Sequence, residues 1–210
     1  MADWSTISSL ATGAGTLVLA VATFASVRSS NRSGRIAETA LREQRRPVLV
    51  HSRLDDPVQK IAFAGGHWVR AEGGHAVVEH EDGIVYLALS LRNVGAGIGV
   101  LHGWFVWPDQ QLGVQEHSPP EEFRMLTRDL LVPPGDIGLW QGALRDSDEE
   151  IHGAIARNAA ERQSFSIDLL YGDQVGEQRW ISRFAVAAVG DDQWLGSVVR
   201  HWNLDGSAPR

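Results

Sequence analysis

Residues 84–93, IVYLALSLRN, decide the fold class of this chain. Val85, Leu87, Leu89 and Leu91 alternate with Tyr86, Ala88, Ser90 and Arg92. Successive side chains of a strand point to opposite faces, so this pattern predicts a sheet with one buried and one wet face, which favours antiparallel pairing. On that reading Leu89→Ala removes a core side chain and costs about 2–5 kcal/mol. Ser90→Ala, on the opposite face, costs little.

The chain around this stretch reads the same way. Upstream, Glu81-Asp82-Gly83 is a hairpin turn, preceded by a strand at His75–His80 that follows Gly73-Gly74. PVLVHSR, residues 47–53, opens the domain. Downstream, a strand at Val100–Trp107 stops at Pro108, and residues 108–127 read as a loop. Short strands follow at Leu130–Val132 and Ile137–Leu144, divided by Pro133-Pro134-Gly135. A helix is predicted over about Asp148–Arg162, capped by Asp146 or Ser147 with Glu149 or Glu150 completing a capping box. Its narrow stripe, Ile151, Ala154, Ile155 and Ala159, predicts a place on the sheet edge. Phe165, Ile167, Leu169 and Tyr171 share one face of a strand, and residues 178–189 return with Trp180, Phe184 and Val186 inward. Trp194–Trp202 is the last strand, and the tail frays from Asn203. Many short strands with regular turn signals predict a mainly β fold, an antiparallel β-sandwich with one peripheral helix. The domain is assigned to 47–204 and a disordered tail to 205–210. The 164 residues from Pro47 to Arg210, tail included, suffice for one domain with a proper core.

The N-terminal end is different in kind. Trp4 to Val27 is 24 residues without a charge. As a helix it spans about 36 Å at about 1.5 Å per residue, enough to cross a hydrocarbon core of about 30 Å. The anchor residues are Trp4 at the interface and Leu10, Leu17, Leu19, Val21, Phe24 and Val27 in the apolar run. A cleaved signal peptide fits poorly, because Met1, Ala2 and Asp3 give no positive leader region. Residues 1–27 are therefore read as a transmembrane anchor and 28–46 as a basic helical stem ended by Pro47. The stem holds six arginines against Glu38 and Glu43, which predicts a cytoplasmic C-terminal domain with the N-terminus outside. Arg28, Arg32 and Arg35 are placed against anionic lipid. The small residues Ala11 and Gly15, four apart, permit a homo-oligomer through the transmembrane helix.

Composition narrows the function. The chain has 19 Lys+Arg and 26 Asp+Glu; six arginines and Asp3, Glu38 and Glu43 precede Pro47, which leaves 13 against 23 for the domain. An acidic domain is a poor partner for phosphate backbones, so nucleic-acid binding is not expected. With no cysteine, thiolate catalysis, disulfides and Cys-based metal sites are excluded.

No motif for chemistry stands out. Gly95, Gly97 and Gly99 follow a strand, but the spacing and the β-like run after them do not fit a dinucleotide loop. Asn93, Gly95 and Gly97 are read as a structural turn in which glycine tolerates positive φ. His75 and His80 lie near Glu79, Glu81 and Asp82, yet five residues apart on a strand they face opposite ways, so no metal site is assigned. There is no H-E-x-x-H and no G-x-S-x-G elbow. No catalytic residue and no cofactor are predicted. Trp104, Trp107, Trp140, Trp180 and Trp194 are expected in core and rim packing.

Asn93-Val94-Gly95 looks like the Asn-x-Gly turn of bacterial immunoglobulin-like sandwich domains. The wider layout carries Arg45-Arg46-Pro47, Leu91 to Gly97, and a hairpin with Tyr171, Asp173, Trp180, Arg183 and Phe184. It resembles a set of uncharacterised actinobacterial single-pass membrane-anchored proteins with an immunoglobulin-like β-sandwich domain. The resemblance implies a fold and a place at a bacterial cell membrane, and carries no activity with it. The expected function is a non-enzymatic module that binds a protein partner at the inner face of that membrane, with lipid contacted through residues 4–27. Two other classes compete: an enzyme with a scattered His/carboxylate site on the sandwich, and an extracytoplasmic ligand-binding or sensor domain of reversed topology.

Overall fold

A computed structural model describes the backbone of residues 4–205 and the side chains of residues 13–205. The chain divides into two compact units, Met1–Gln44 and Arg45–Arg210. The first is one helix, α1 (Trp4–Gln44), which runs through Gly34 without a break. Its side chains from Gly13 to Gln44 are exposed. Among the described residues no helix is long and apolar enough to cross a membrane. The side chains of Trp4 and Leu10, expected to belong to the anchor, lie outside those described.

The second unit is mainly β and entirely antiparallel in its pairings. Its strands are β1 (Leu49–His51), β2 (Gln59–Ala62), β3 (Trp68–Ala71), β4 (His75–Glu81), β5 (Ile84–Asn93), β6 (Gly99–Trp107), β7 (Arg124–Val132), β8 (Ile137–Leu144), β9 (Phe165–Asp173), β10 (Arg179–Val189) and β11 (Gln193–Asn203). One helix, α2 (Glu150–Glu161), follows β8. Nine strands form one hydrogen-bonded path, β1-β5-β4-β11-β10-β9-β6-β7, with β8 also on β5. The link between β4 and β11 is only two residue pairs, Trp194 with Ala76 and Leu195 with His75. It divides the path into two halves whose inner faces share one core. Leu87, Leu89 and Trp140 come from one half and Trp104, Ile167, Trp180 and Phe184 from the other. Burying each such side chain stabilises the fold by about 1.5–3 kcal/mol.

The predicted hairpin at Asp82-Gly83 is present, with φ of 51° and 73°, the two positive angles of a type I′ turn. The inward parity of Phe165, Ile167, Leu169, Tyr171, Trp180, Phe184 and Val186 also holds. Trp104, Trp140, Trp180 and Trp194 are buried, and Trp107 is half-buried.

The wet face is the largest correction. β5 is buried on both sides. The β2–β3 hairpin, absent from the sequence reading, lies over its outer face and buries Ile61, Phe63, Val69 and Ala71 against Val77, Tyr86 and Ala88. Ser90 is buried too, with its hydroxyl 2.7 Å from that of Ser52. The outer face of β9 and β10 is also covered, in part by Phe123 packing on Leu170 and Ile181. Residues 108–127 are therefore not all loop. A 3-10 turn forms at Pro120–Glu122 and β7 begins at Arg124, because β7 pairs with β6 along Gly99–Trp104.

Smaller corrections concern helix ends and the tail. α2 starts at Glu150 with no side-chain cap, since the Asp146 carboxylate accepts from the Asp148 amide instead. Arg162, with φ 56°, ends the helix in the left-handed region. Ile155 is fully buried in the main core, so α2 packs more deeply than an edge position implies. The chain is still ordered at Asp205, whose carboxylate takes the Arg179 amide at 2.7 Å and its guanidinium at 2.8 and 3.1 Å. The rest of the expected tail, residues 206–210, lies outside the described residues.

Candidate functional site

The turn after β5 is organised by one buried side chain. Asn93 Oδ1 accepts the amides of Val48 (3.1 Å) and Gly95 (2.9 Å), and its Nδ2 donates to the carbonyls of Gly97 (2.7 Å) and Val132 (2.9 Å). Both donors and both lone pairs are used, which suits a fully buried amide. The glycines serve close approach and not positive φ. A Cβ on Gly95 would stand 2.4 Å from the Arg46 carbonyl, and one on Gly97 1.8 Å from that of Arg45. This turn clamps the domain's first residues; the amides of Val94, Gly95, Ala96 and Gly97 are taken by Val48, Asn93 and Arg46 and are not left for a phosphate.

Arg28, Arg32 and Arg35 fall on one face of α1, because residues three and four apart share a face. Leu17, Val21 and Phe24 precede them on the same face, 62–69% exposed. Val27 is exposed to one side of this line and Leu19 on the opposite face of the helix.

Two polar clusters lie inside the domain. On the outer face of β9 and β10, the fully buried Asp168 and Arg183 pair at 2.6 and 2.7 Å. Ser118 donates its hydroxyl to Asp168 at 2.7 Å, and the Trp107 indole at 3.3 Å. The guanidinium sits over Trp107 and Trp202, 5.5 and 4.9 Å from the ring centroids. On the inner face, Ser182 Oγ lies 2.9 Å from the Tyr171 hydroxyl and 2.6 Å from His201 Nδ1. Burial pushes the Tyr171 phenol up, against hydrogen bonds from Ser182 and Leu49. Desolvation, helped by the charge of Arg46, lowers His201 below the ordinary imidazole value. A serine beside a histidine is half of a nucleophilic pair. Here Ser182 is fully buried, so no substrate reaches it.

The third cluster is at the surface, where the β2–β3 turn meets β4. His67 Nε2 is 2.9 Å from Glu79 and its Nδ1 is 3.2 Å from Glu81. Glu79 and Glu81, two apart on β4, share a strand face. The His67 ring stacks on Tyr86 with centroids 4.0 Å apart and planes 18° apart. His75 and His80 stay outside this cluster: His75 Nδ1 is 2.7 Å from the Gly73 carbonyl, and His80 packs edge-on against His152. Sequence reasoning missed His67 because it left residues 54–72 without structure. The signal was there: Ile61 and Phe63, then Val69 and Ala71, alternate on either side of Gly65-Gly66.

Compared with protein families, with curated proteins and with solved structures, the chain finds no match.

Proposed function

We propose that this chain is a membrane-anchored, non-enzymatic immunoglobulin-like sandwich module that binds a protein partner at the cytoplasmic face of a bacterial membrane. The observation that carries the reading is the face of α1. Leu17, Val21 and Phe24 lie on it without cover, followed directly by Arg28, Arg32 and Arg35. A helix that exposes apolar side chains and then arginines along one line suits lipid, with acyl chains against the first group and anionic headgroups against the second. The uncharged segment from Trp4 supplies the remaining length. The acidic domain, repelled by anionic lipid, then stands off the surface for a partner.

Deleting residues 1–27 moves the protein from the membrane fraction to the soluble one with the domain still folded. If the truncated chain stays with membranes after a high-salt wash, the single-anchor reading fails. A phosphatase fused after Arg210 stays inactive if the domain is cytoplasmic; an active fusion favours the sensor reading.

One observation supports an enzyme as a second reading. His67, Glu79 and Glu81 are a histidine and two carboxylates within hydrogen-bonding reach. They sit where the β2–β3 turn meets β4, and Glu79 also borders a recess beside Arg70 and His75.

A further inference from the structure

We propose that His67, Glu79 and Glu81 form a binding site for a divalent transition-metal ion of the zinc class, one that ties the β2–β3 hairpin to β4. The site is independent of where α1 resides.

The geometry of the histidine carries the inference. Both ring nitrogens face carboxylates, at 2.9 Å and 3.2 Å. A neutral imidazole has one N–H, so one of these contacts sets a lone pair against a carboxylate oxygen. A divalent cation resolves that conflict. It takes the unprotonated nitrogen and a carboxylate as ligands, while the other N–H holds its own carboxylate and fixes the tautomer. The two glutamates bring two negative charges to meet the ion's two positive ones.

The placement is built. Gly65 and Gly66, with φ of 101° and 87°, turn the chain so that the Phe63 amide bonds the His67 carbonyl at 2.8 Å. Tyr86, itself buried by Phe63 at a centroid distance of 4.9 Å, holds the ring plane. The donor atoms of all three residues lie within 4.8 Å of one another. Ligands at about 2.0–2.1 Å around a tetrahedral ion stand about 3.4 Å apart, so a small rotamer adjustment closes the set. The side chains of Glu79 and Glu81, 45% and 60% exposed, are free to make it. An imidazole nitrogen beside carboxylate oxygen selects zinc, nickel or cobalt over calcium and magnesium, which prefer oxygen alone. Positions left on the ion belong to water.

The ion has something to hold. β2 and β3 pair only with each other and form a separate two-stranded sheet. Their polar ties to the rest of the domain include Gln141 to the Ala62 carbonyl (3.3 Å) and Arg145 to that of Ala64 (2.9 Å). A bridge from His67 to β4 adds a link between layers that share no backbone ladder.

The test is zinc titration of the full chain in mild detergent, with no histidine tag, by calorimetry and thermal melting. Saturable binding and a zinc-dependent rise in Tm are expected at pH 7.5. Glu79→Gln, Glu81→Gln and His67→Gln each weaken binding about tenfold or more. Glu79→Gln and Glu81→Gln change exposed side chains and keep the metal-free Tm near that of the parent. His80→Ala, whose ring belongs to another cluster, binds as the parent does. Absence of saturable binding by zinc, nickel and cobalt up to millimolar concentration overturns the proposal. So does binding that survives His67→Gln and Glu79→Gln, or that disappears in His80→Ala.

Discussion

Leu89 and Ser90 are neighbours on β5 and both are buried, but they are buried by different things. Leu89 faces Trp140, Leu87 and the strands of the opposite half, in a core made mainly of apolar side chains. Ser90 faces outward into a covering layer, where its hydroxyl meets Ser52 and the Ser52 oxygen accepts the Gly74 amide at 2.9 Å. The same division recurs on β9. Ile167 and Leu169 point into the core, while Asp168 between them pairs with Arg183 under Ser118 and Trp107. The inner face is held by area removed from water, which is non-directional. The outer face adds to apolar packing a set of specific hydrogen bonds between sheet and cover. A substitution therefore means different things on the two faces.

The largest effect is expected where the outer face is least forgiving. Asp168→Ala leaves the Arg183 guanidinium buried without its carboxylate, and costs about 3–5 kcal/mol. Replacing both partners, Asp168→Leu with Arg183→Met, costs much less, because no charge is then left unpaired. Urea denaturation of the three proteins measures this. If the single and double variants are equally unstable, the site is held by shape and not by charge, and the contrast between the faces breaks down.

This comparison also explains how far the sequence could be read. Strand positions and inward parity follow from a local period of two, so β5, β9 and β10 were legible. What covers a strand's outer face is not local. Ser90 looked solvent-facing, and nothing marked Asp168 as buried, because polar residues at alternating positions usually face water. The hairpin and the loop that cover them come from 31 and 50 residues away. The His67 cluster was hidden for the same reason: its histidine lies 12 residues from Glu79, on a hairpin whose existence depends on Tyr86 and Ala88 needing cover. The Asn93 turn was legible because all its glycines lie within six residues of it, although their role is close approach.

A middle-sized contrast sharpens the comparison within one strand. Leu89→Ala costs about 2–5 kcal/mol through lost burial and the cavity left behind. Ser90→Ala costs about 1–3 kcal/mol, because Ser52 loses a buried partner. A sequence-only reading makes the second effect negligible. Thermal melts of both variants decide: a Ser90→Ala protein that melts with the parent shows that water reaches the outer face and that the β2–β3 hairpin covers it loosely.

The smallest effect concerns His201, where the inner face meets the surface. Its pKa in the folded domain is lowered, first by desolvation and then by Arg46. The unfolded chain binds a proton near the ordinary value of about 6.5, and the folded one only at lower pH. Between those two values the unfolded state carries more protons, so stability rises with pH across that window. The contribution is fully present above about pH 6.5 and is lost as pH falls through the folded value. Asp56 and Asp205, lowered by hydrogen bonds from Arg92 and Arg179, act in the same direction but in the carboxylate range, below about pH 4. The two windows are therefore separable. His201→Gln keeps a polar group beside Ser182 and removes the titration, so its stability should be flatter than the parent's between pH 7 and 5 and parallel to it below pH 4. If the variant keeps the parent's slope between pH 7 and 5, another group titrates there.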